Sequence, residues 1–327
     1  MGKLTILGGG RWGTALGLHL SKKGFEIIFF DRNSAVVESL RKGKDAYWGM
    51  EFAKNPRATN VLDEAIEFSD LIVIALPVQV IRGVLEKPNL RGKVVVSASK
   101  GLEVGTSKRV SQIVQELCRD CKTFVLSGPS FAEEVAKGLP CAVVLAGKDL
   151  DTLKELRGVF HSETFRVYLS EDTVGVELGG ALKNVIAIAC GISDGLGFGD
   201  NARASLITRG LAEIVRIGSS LGGKKETFYG LSGLGDLVLT STSSKSRNRT
   251  FGFLLGQGLS VEEAEARIGQ VVEGKETVKA VKKLTEELKI YAPISWAVYQ
   301  VVVENIPPEQ VARDLLLRPP QREFEYL

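Results

Sequence analysis

Gly8-Gly9-Gly10-Arg11-Trp12-Gly13 carries the spacing G-x-G-x-x-G. It lies directly after the short apolar run Leu4–Leu7 and at the start of a helical pattern. In that setting glycines permit a tight turn, backbone approach to a pyrophosphate, and close packing of helix on strand. The phosphates would sit among unpaired N–H groups at the positive end of the helix dipole. Asp31 closes the next apolar run, Glu26–Phe30. A carboxylate there accepts from both ribose hydroxyls of NAD and repels the 2′-phosphate of NADP, so Asp31 favours NAD. Arg32 beside it reads as a stack on adenine, a partner for that phosphate, or a solvated surface cation.

Proton-transfer chemistry has few candidates. The two histidines, His19 and His161, have no Ser, Cys or acid set that suggests a triad. No H-x-x-H or H-E-x-x-H spacing offers a metal, and none is expected. A proton donor for a carbonyl would then be a lysine or carboxylate tuned by its surroundings. Lys100 ends the passage Ser97-Ala98-Ser99-Lys100-Gly101, at the carboxyl edge of a predicted strand where open α/β sheets place ligands. Lys183 is the only basic residue between Asp172 and Arg203, flanked by Gly179-Gly180-Ala181 and Val185-Ile186-Ala187. It reads equally as an ammonium facing a cleft or as a lysine snorkelling from an apolar stripe. Farther on, Leu231-Ser232-Gly233-Leu234-Gly235-Asp236 precedes a run of hydroxyls and cations ending Ser246-Arg247-Asn248-Arg249. That mixture suits a phosphate, which guanidinium grips bidentately, although composition alone fits a polar surface loop.

These residues need a scaffold, and the periodicity supplies one. Short apolar strands alternate with helices: helix to Lys22, strand Glu26–Phe30, helix Ala35–Arg41, strand Leu71–Ala75, helix Val78–Leu85, strand Val94–Ser97 and helix Lys108–Leu117. Strands Phe124–Leu126, Ala142–Leu145 and Phe165–Tyr168, with helix Asp151–Val159, continue the series. This alternation predicts a mostly parallel sheet covered on both faces. From Asp172 onward apolar residues recur at helical spacing only, through Ala202–Ser219, Val261–Ile268, Lys275–Leu288 and Trp296–Val303. The expectation is an α/β doubly wound domain over residues 1–170 and an all-α domain over 171–327, with a cleft where they abut.

Composition sets the outer limits. The 327 residues are 44% apolar and 25% charged, which excludes disorder as the main state. A formal charge of +3 is too balanced for a protein that coats nucleic acid or a membrane surface, so no nucleic-acid partner is expected. The longest stretch without Asp, Glu, Lys or Arg, from Ile290 to Val303, is interrupted by Pro293, and no membrane span is expected. Cys118-Arg119-Asp120-Cys121 has C-x-x-C spacing without a second pair, and is read as two reduced thiols near a helix end. With no signal peptide at Met1-Gly2-Lys3, a cytoplasmic protein is expected. Glycine is in excess, 36 residues where about 7% is usual, which calls for turns, caps or close approaches.

Taken in order, the motifs resemble one family, the bacterial-type NAD(P)-dependent glycerol-3-phosphate dehydrogenases. The matching pieces are Gly8–Gly13 with Thr14-Ala15-Leu16, Ser99-Lys100-Gly101-Leu102-Glu103, Ser127-Gly128-Pro129-Ser130-Phe131-Ala132, and Gly180-Ala181-Leu182-Lys183-Asn184. Asn201-Ala202, Thr208-Arg209-Gly210, Leu231–Asp236, Ser246-Arg247-Asn248 and Gln270-Val271-Val272-Glu273-Gly274 complete the set. The resemblance implies a Rossmann-like N-terminal domain, an all-helical C-terminal domain, and reversible reduction of dihydroxyacetone phosphate to sn-glycerol 3-phosphate for phospholipid biosynthesis. It implies Lys183 as the proton-transferring residue, with Lys100 and Asp236 beside it. Lys100, Gly128, Ser130, Lys183, Asp236, Ser246, Arg247 and Asn248 are the implied substrate contacts. The cofactor, NAD or NADP, is expected at Gly8, Gly10, Arg11, Trp12, Gly13, Asp31, Arg32, Lys100, Ala132, Arg247, Val271 and Glu273. A homodimer is also implied. Three positions depart from the family pattern: Arg11 stands where Ser or Thr is usual, Asp31 where a small residue is common, and Ser241 where a cysteine is common.

Overall fold

The computed structural model describes residues 2–319 and 322. The chain divides into two compact units, one of Met1–Ser99 with Val110–Thr173 and one of Lys100–Arg109 with Val174–Leu327. The division is therefore not a single cut, because the Lys100–Arg109 segment groups with the helical residues.

The first unit is built on eight strands: β1 (Lys3–Leu7), β2 (Glu26–Phe30), β3 (Arg57–Thr59), β4 (Leu71–Ile74), β5 (Val94–Ser97), β6 (Lys122–Ser127), β7 (Cys141–Ala146) and β8 (Phe165–Ser170). They form one sheet in the order β3-β2-β1-β4-β5-β6-β7-β8. All neighbours are parallel except β6 and β7, which are antiparallel. The connecting helices are α1 (Arg11–Lys22), α2 (Ser34–Arg41), α3 (Leu62–Phe68), α4 (Val78–Leu85), α5 (Val110–Leu117), α6 (Ala132–Lys137) and α7 (Leu150–Phe160).

Alternate residues of each central strand enter opposite cores. Leu4, Ile6, Ile27, Phe29, Val73 and Val96 pack on one side with Leu16 and Leu20 of α1. Leu7, Ile28, Ile72, Ile74 and Val95 pack on the other with Val78, Ile81 and Ile113. Burial on both faces explains why these strands read as continuous apolar runs rather than alternating ones. β3, α3 and α6 are absent from the sequence expectation. β3 is only Arg57-Ala58-Thr59, too short and polar to show a period.

The cysteines Cys118 and Cys121 are not the reduced thiols that their spacing suggested. Cys118 and Cys121 form a disulfide across the turn that follows α5, their Cα atoms 5.5 Å apart. The helix end brings the two Cα atoms within the distance such a bond requires.

The second unit comprises helices α8 (Thr173–Gly195), α9 (Gly199–Ser220), α10 (Lys225–Phe228), α11 (Asp236–Thr242), α12 (Arg247–Gly256), α13 (Val261–Ile268), α14 (Glu273–Glu287), α15 (Pro293–Val302) and α16 (Pro308–Leu316). A π-helical turn, Leu231–Gly235, leads into α11. By length and composition α8 is the one described helix that could cross a bilayer, but its apolar stretch is buried inside the protein. It forms the axis of the core, with Ile214, Phe228, Leu237, Phe251 and Val278 packed around it.

Part of the glycine excess resides in this core rather than at any ligand. Gly191 and Gly195 on α8 face Gly252 and Gly256 on α12, each helix using two glycines one turn apart. A Cβ at Gly191 would lie 2.0 Å from the Arg249 carbonyl oxygen, and one at Gly252 2.1 Å from that of Ile188. The two backbones therefore touch, and α12 is seated with Ser246, Arg247 and Asn248 at its start.

Candidate active site

Two groups of polar residues carry the expected chemistry, one in each unit. In the first unit, Gly8 adopts φ 110°, a conformation side chains disfavour, and turns the chain from β1 toward α1. A Cβ at Gly13 would lie 2.0 Å from the Gly8 carbonyl oxygen, so only glycine lets α1 pack this tightly on the turn. Around Gly10 the situation is opposite: an added Cβ would meet nothing within 4 Å. Gly10 is also the N-cap of α1 and supplies no side-chain cap. The helix thus presents its N-terminal N–H groups to open space at the point where a pyrophosphate would bind, and these residues fit a dinucleotide.

Asp31 is tied to this turn. Its Oδ2 accepts from the Gly9 N–H at 2.8 Å and its Oδ1 from the Asn33 N–H at 2.8 Å. The carboxylate thereby fixes the glycine loop, a structural task that sequence spacing did not reveal. Trp12 donates from Nε1 to the Ala98 carbonyl at 3.1 Å, linking α1 to the end of β5. Arg11 and Arg32 are exposed.

In the second unit, Lys183 lies in the middle of α8 with 7% of its surface exposed. Its ammonium donates to Asp236 Oδ1 at 3.0 Å and to Thr240 Oγ1 at 2.7 Å. Lys100 donates to the other oxygen, Asp236 Oδ2, at 2.6 Å. Two cations therefore share one buried carboxylate, itself only 2% exposed. An ammonium has three protons, and the third on Lys183 has no partner among the described residues.

The local sequence explains this convergence. At Gly179, one turn before Lys183, a Cβ would lie 2.8 Å from the Ser232 carbonyl oxygen, so the π-helical turn sits directly against α8. That turn delivers Asp236 to the first position of α11. Thr240 is one turn later on the same face, since residues four apart are helix neighbours. Its hydroxyl bridges Lys183 and Asp236.

Electrostatics follow from the packing. Burial pushes the Lys183 ammonium down, Asp236 opposes that, and the Lys100 and Arg247 charges push it down further, to about 8. Burial alone would raise the Asp236 carboxyl, but Lys100 and Lys183 hold it below its ordinary value. The result is a cation close to its titration point at neutral pH beside a carboxylate that stays charged.

Asn248 is buried and held by two hydrogen bonds, which leave one of its two amide N–H donors uncommitted. Its Nδ2 donates to Asn184 Oδ1 at 2.9 Å and its Oδ1 accepts from the Gly274 N–H at 2.9 Å. Ser246 caps α12 by accepting from the Arg249 N–H, and Arg247 donates to the Val271 carbonyl at 2.9 Å, next to Glu273 at the start of α14. Gly128 (φ 142°) follows β6, with Ser130 donating to its carbonyl, and Ala132 opens α6; all three belong to the first unit. Thr240 and Asn184 escaped the sequence reading as site residues. The spacing of Thr240 from Asp236 within one helix was the available signal. His19 is buried against the Phe160 carbonyl and, like His161, belongs to the first unit. A cavity of about 580 Å3 in the second unit, lined by Ile192, Leu206, Ile294 and Val301, shares no residue with the Lys183 cluster.

Comparison with known proteins shows the family. The family model described as NAD-dependent glycerol-3-phosphate dehydrogenase N-terminus matches residues 3–153, and its C-terminus counterpart matches residues 172–313. A glycerol-3-phosphate dehydrogenase [NAD(P)+] of Clostridium acetobutylicum is 42% identical, with 100% of both chains covered. One from Carboxydothermus hydrogenoformans is 43% identical over 99% of each. The crystal structure of glycerol-3-phosphate dehydrogenase from Coxiella burnetii superposes with a TM-score of 0.93 at 38% identity, covering 97% of this chain and 99% of that one. The chain belongs to the NAD-dependent glycerol-3-phosphate dehydrogenase family.

Proposed function

We propose that this protein reversibly reduces dihydroxyacetone phosphate to sn-glycerol 3-phosphate, the backbone precursor of glycerophospholipids, with NADH preferred over NADPH through Asp31. The first unit, built on the Gly8–Gly13 turn, is the dinucleotide-binding domain. The second is the substrate-binding and catalytic domain. Bound at the glycine turn, the reduced dinucleotide supplies a hydride for C2 of the ketone.

The other steps belong to side chains. Lys183, as ammonium, directs its third N–H to the C2 oxygen and gives up that proton as the alkoxide forms, leaving a neutral amine. In the reverse direction the amine takes the proton from the alcohol. Asp236 and Thr240 hold the Lys183 nitrogen in one orientation, which is the usual requirement for efficient proton transfer. Lys100 adds positive charge beside the developing alkoxide and keeps the Lys183 proton labile by like-charge repulsion. Ser246, Arg247 and Asn248, with Gly128 and Ser130, are assigned to the substrate and its phosphate. The remaining expected cofactor contacts, Ala132, Val271 and Glu273, and a homodimeric, cytoplasmic state, belong to the same reading.

The observation that carries this proposal is the buried Lys183 paired with Asp236 and Thr240 and brought to about 8. The test compares oxidation of NADH and of NADPH, each with dihydroxyacetone phosphate and with unphosphorylated dihydroxyacetone. Turnover that needs the phosphate and prefers NADH is expected. Equal rates with both ketones, or near-normal turnover in Lys183→Ala, would overturn the assignment.

A further inference from the structure

We infer that Arg11, seated on Tyr47 and Trp48, is the residue that admits the 2′-phosphate of NADP beside Asp31, so that a pair of opposed charges sets cofactor choice. The inference rests on the dinucleotide reading of the glycine turn and adds to it a loop outside the fingerprint.

That loop, between α2 and β3, is organised by one buried carboxylate. Asp45 is 4% exposed and accepts from the N–H groups of Tyr47 and Trp48, both at 2.6 Å, and from that of Met50. A short acidic side chain bonding to the backbone just ahead of it is the standard way to fix such a turn. The Tyr47 and Trp48 rings are consequently held 5.6 Å apart. The Arg11 guanidinium lies 5.4 Å from the first ring centroid and 5.8 Å from the second.

The loop is joined to the glycine turn by hydrogen bonds. Tyr47 Oη donates to the Gly9 carbonyl at 3.0 Å, and the Gly9 N–H donates to Asp31 at 2.8 Å. Arg11, Tyr47, Gly9 and Asp31 therefore form one contiguous group. Arg11 is the first residue of α1, is exposed, and makes no ion pair among the described residues. Asp31 makes none either, and among the described residues its two carboxylate oxygens meet only backbone N–H groups.

Charge decides what such a site accepts. A 2′-hydroxyl needs only an acceptor, which Asp31 supplies. A 2′-phosphate beside the same carboxylate is repelled unless a cation offsets it. A guanidinium resting on aromatic faces is held more weakly than one bonded to phosphate, so Arg11 can exchange one partner for the other. Its fork then grips two phosphate oxygens. Arg32 is the competing cation, but among the described residues it has no ring contact or hydrogen bond that places it at this group.

Titration of the full-length protein with NADH and with NADPH, without ketone, followed by quenching of tryptophan fluorescence, tests this directly. Arg11→Gln should weaken NADPH roughly tenfold or more, the value of a charge-assisted hydrogen bond, and leave NADH within about twofold. Arg11→Lys, which keeps the charge but not the fork, should fall between. An unchanged thermal midpoint shows that the variants are folded. Equal weakening of both nucleotides, no weakening of either, or an NADPH loss carried by Arg32→Gln instead would each overturn the inference, as would native protein that binds NADH only. If native protein binds neither nucleotide, the dinucleotide reading itself fails.

Discussion

In the proposed function the glycine turn and the Lys183 cluster both meet anionic groups, yet they are made of opposite materials. At Gly8–Gly13 the binding groups are backbone N–H donors, and the sequence contributes by omitting side chains: Gly13 so that α1 can close on Gly8, Gly10 so that space stays open. At Lys183 the binding groups are side chains from three distant segments, and buried charge does the work. A backbone site depends on sterics and is indifferent to pH. A side-chain site depends on protonation and on which neighbours share the burial. The two regions should therefore fail in different ways.

Removing the charge should give the largest effect. Lys183→Ala is expected to lower kcat/KM for ketone reduction by about 10²–10⁴, the usual worth of a general acid, while NADH titration stays near normal. If both collapse together, the two regions are not separable as described.

Next in size is a steric probe of the other region. Gly13→Ala puts a Cβ 2.0 Å from a backbone oxygen that cannot swing away. Overpacking of this kind costs about 1–3 kcal/mol, readable as a lower urea midpoint together with weaker NADH binding. Gly10→Ala meets nothing within 4 Å and should leave the midpoint unchanged within about 0.5 kcal/mol. Its loss should appear only in cofactor affinity, because the new methyl occupies the phosphate approach.

The pH profile sharpens the contrast. Lys183 must be protonated to act as acid, and its ammonium titrates at about 8. Reduction should therefore be flat below pH 8 and fall about tenfold per unit above it, whereas alcohol oxidation should rise through the same point. Cofactor affinity should show no step there. The stability sign is the same throughout: the folded chain holds this proton less tightly than the unfolded one, so the buried ammonium costs stability below about pH 8. That cost is relieved as pH rises toward the ordinary lysine value.

A smaller shift should follow from Lys100→Met. Lys100 lowers Lys183 by like-charge repulsion, so its loss should move the reduction limb above 8. A limb that stays in place or moves down would mean that Lys100 does not act on Lys183 through charge.

Much of this protein was legible from local sequence. The G-x-G-x-x-G turn, Asp31 at the end of β2, and the strands Glu26–Phe30 and Val94–Ser97 all rest on neighbours a few residues apart. The helix Val261–Ile268 was equally plain, its Ser260 cap and Glu263 forming a capping box. β3 and α6 were hidden by brevity, and α11 and α12 by a polar run whose composition fits a loop equally well. The Cys118–Cys121 bond turned on how α5 ends, which spacing alone left open.

Whether Lys183 snorkels or meets a carboxylate could not be decided in one dimension, because Asp236 lies 53 residues away. The answer depends on Gly179 admitting the π-helical turn against α8, a contact with no periodic signature. The glycine excess divides in the same way. Gly8, Gly10 and Gly13 declared their purpose through a motif. Gly191, Gly195, Gly252 and Gly256 revealed theirs only when two helices were found touching backbone to backbone. Local pattern specifies turns and periods because hydrogen bonds and side-chain direction act between near neighbours. Pairing across the chain is decided by packing, which alone sets which charges share a buried volume.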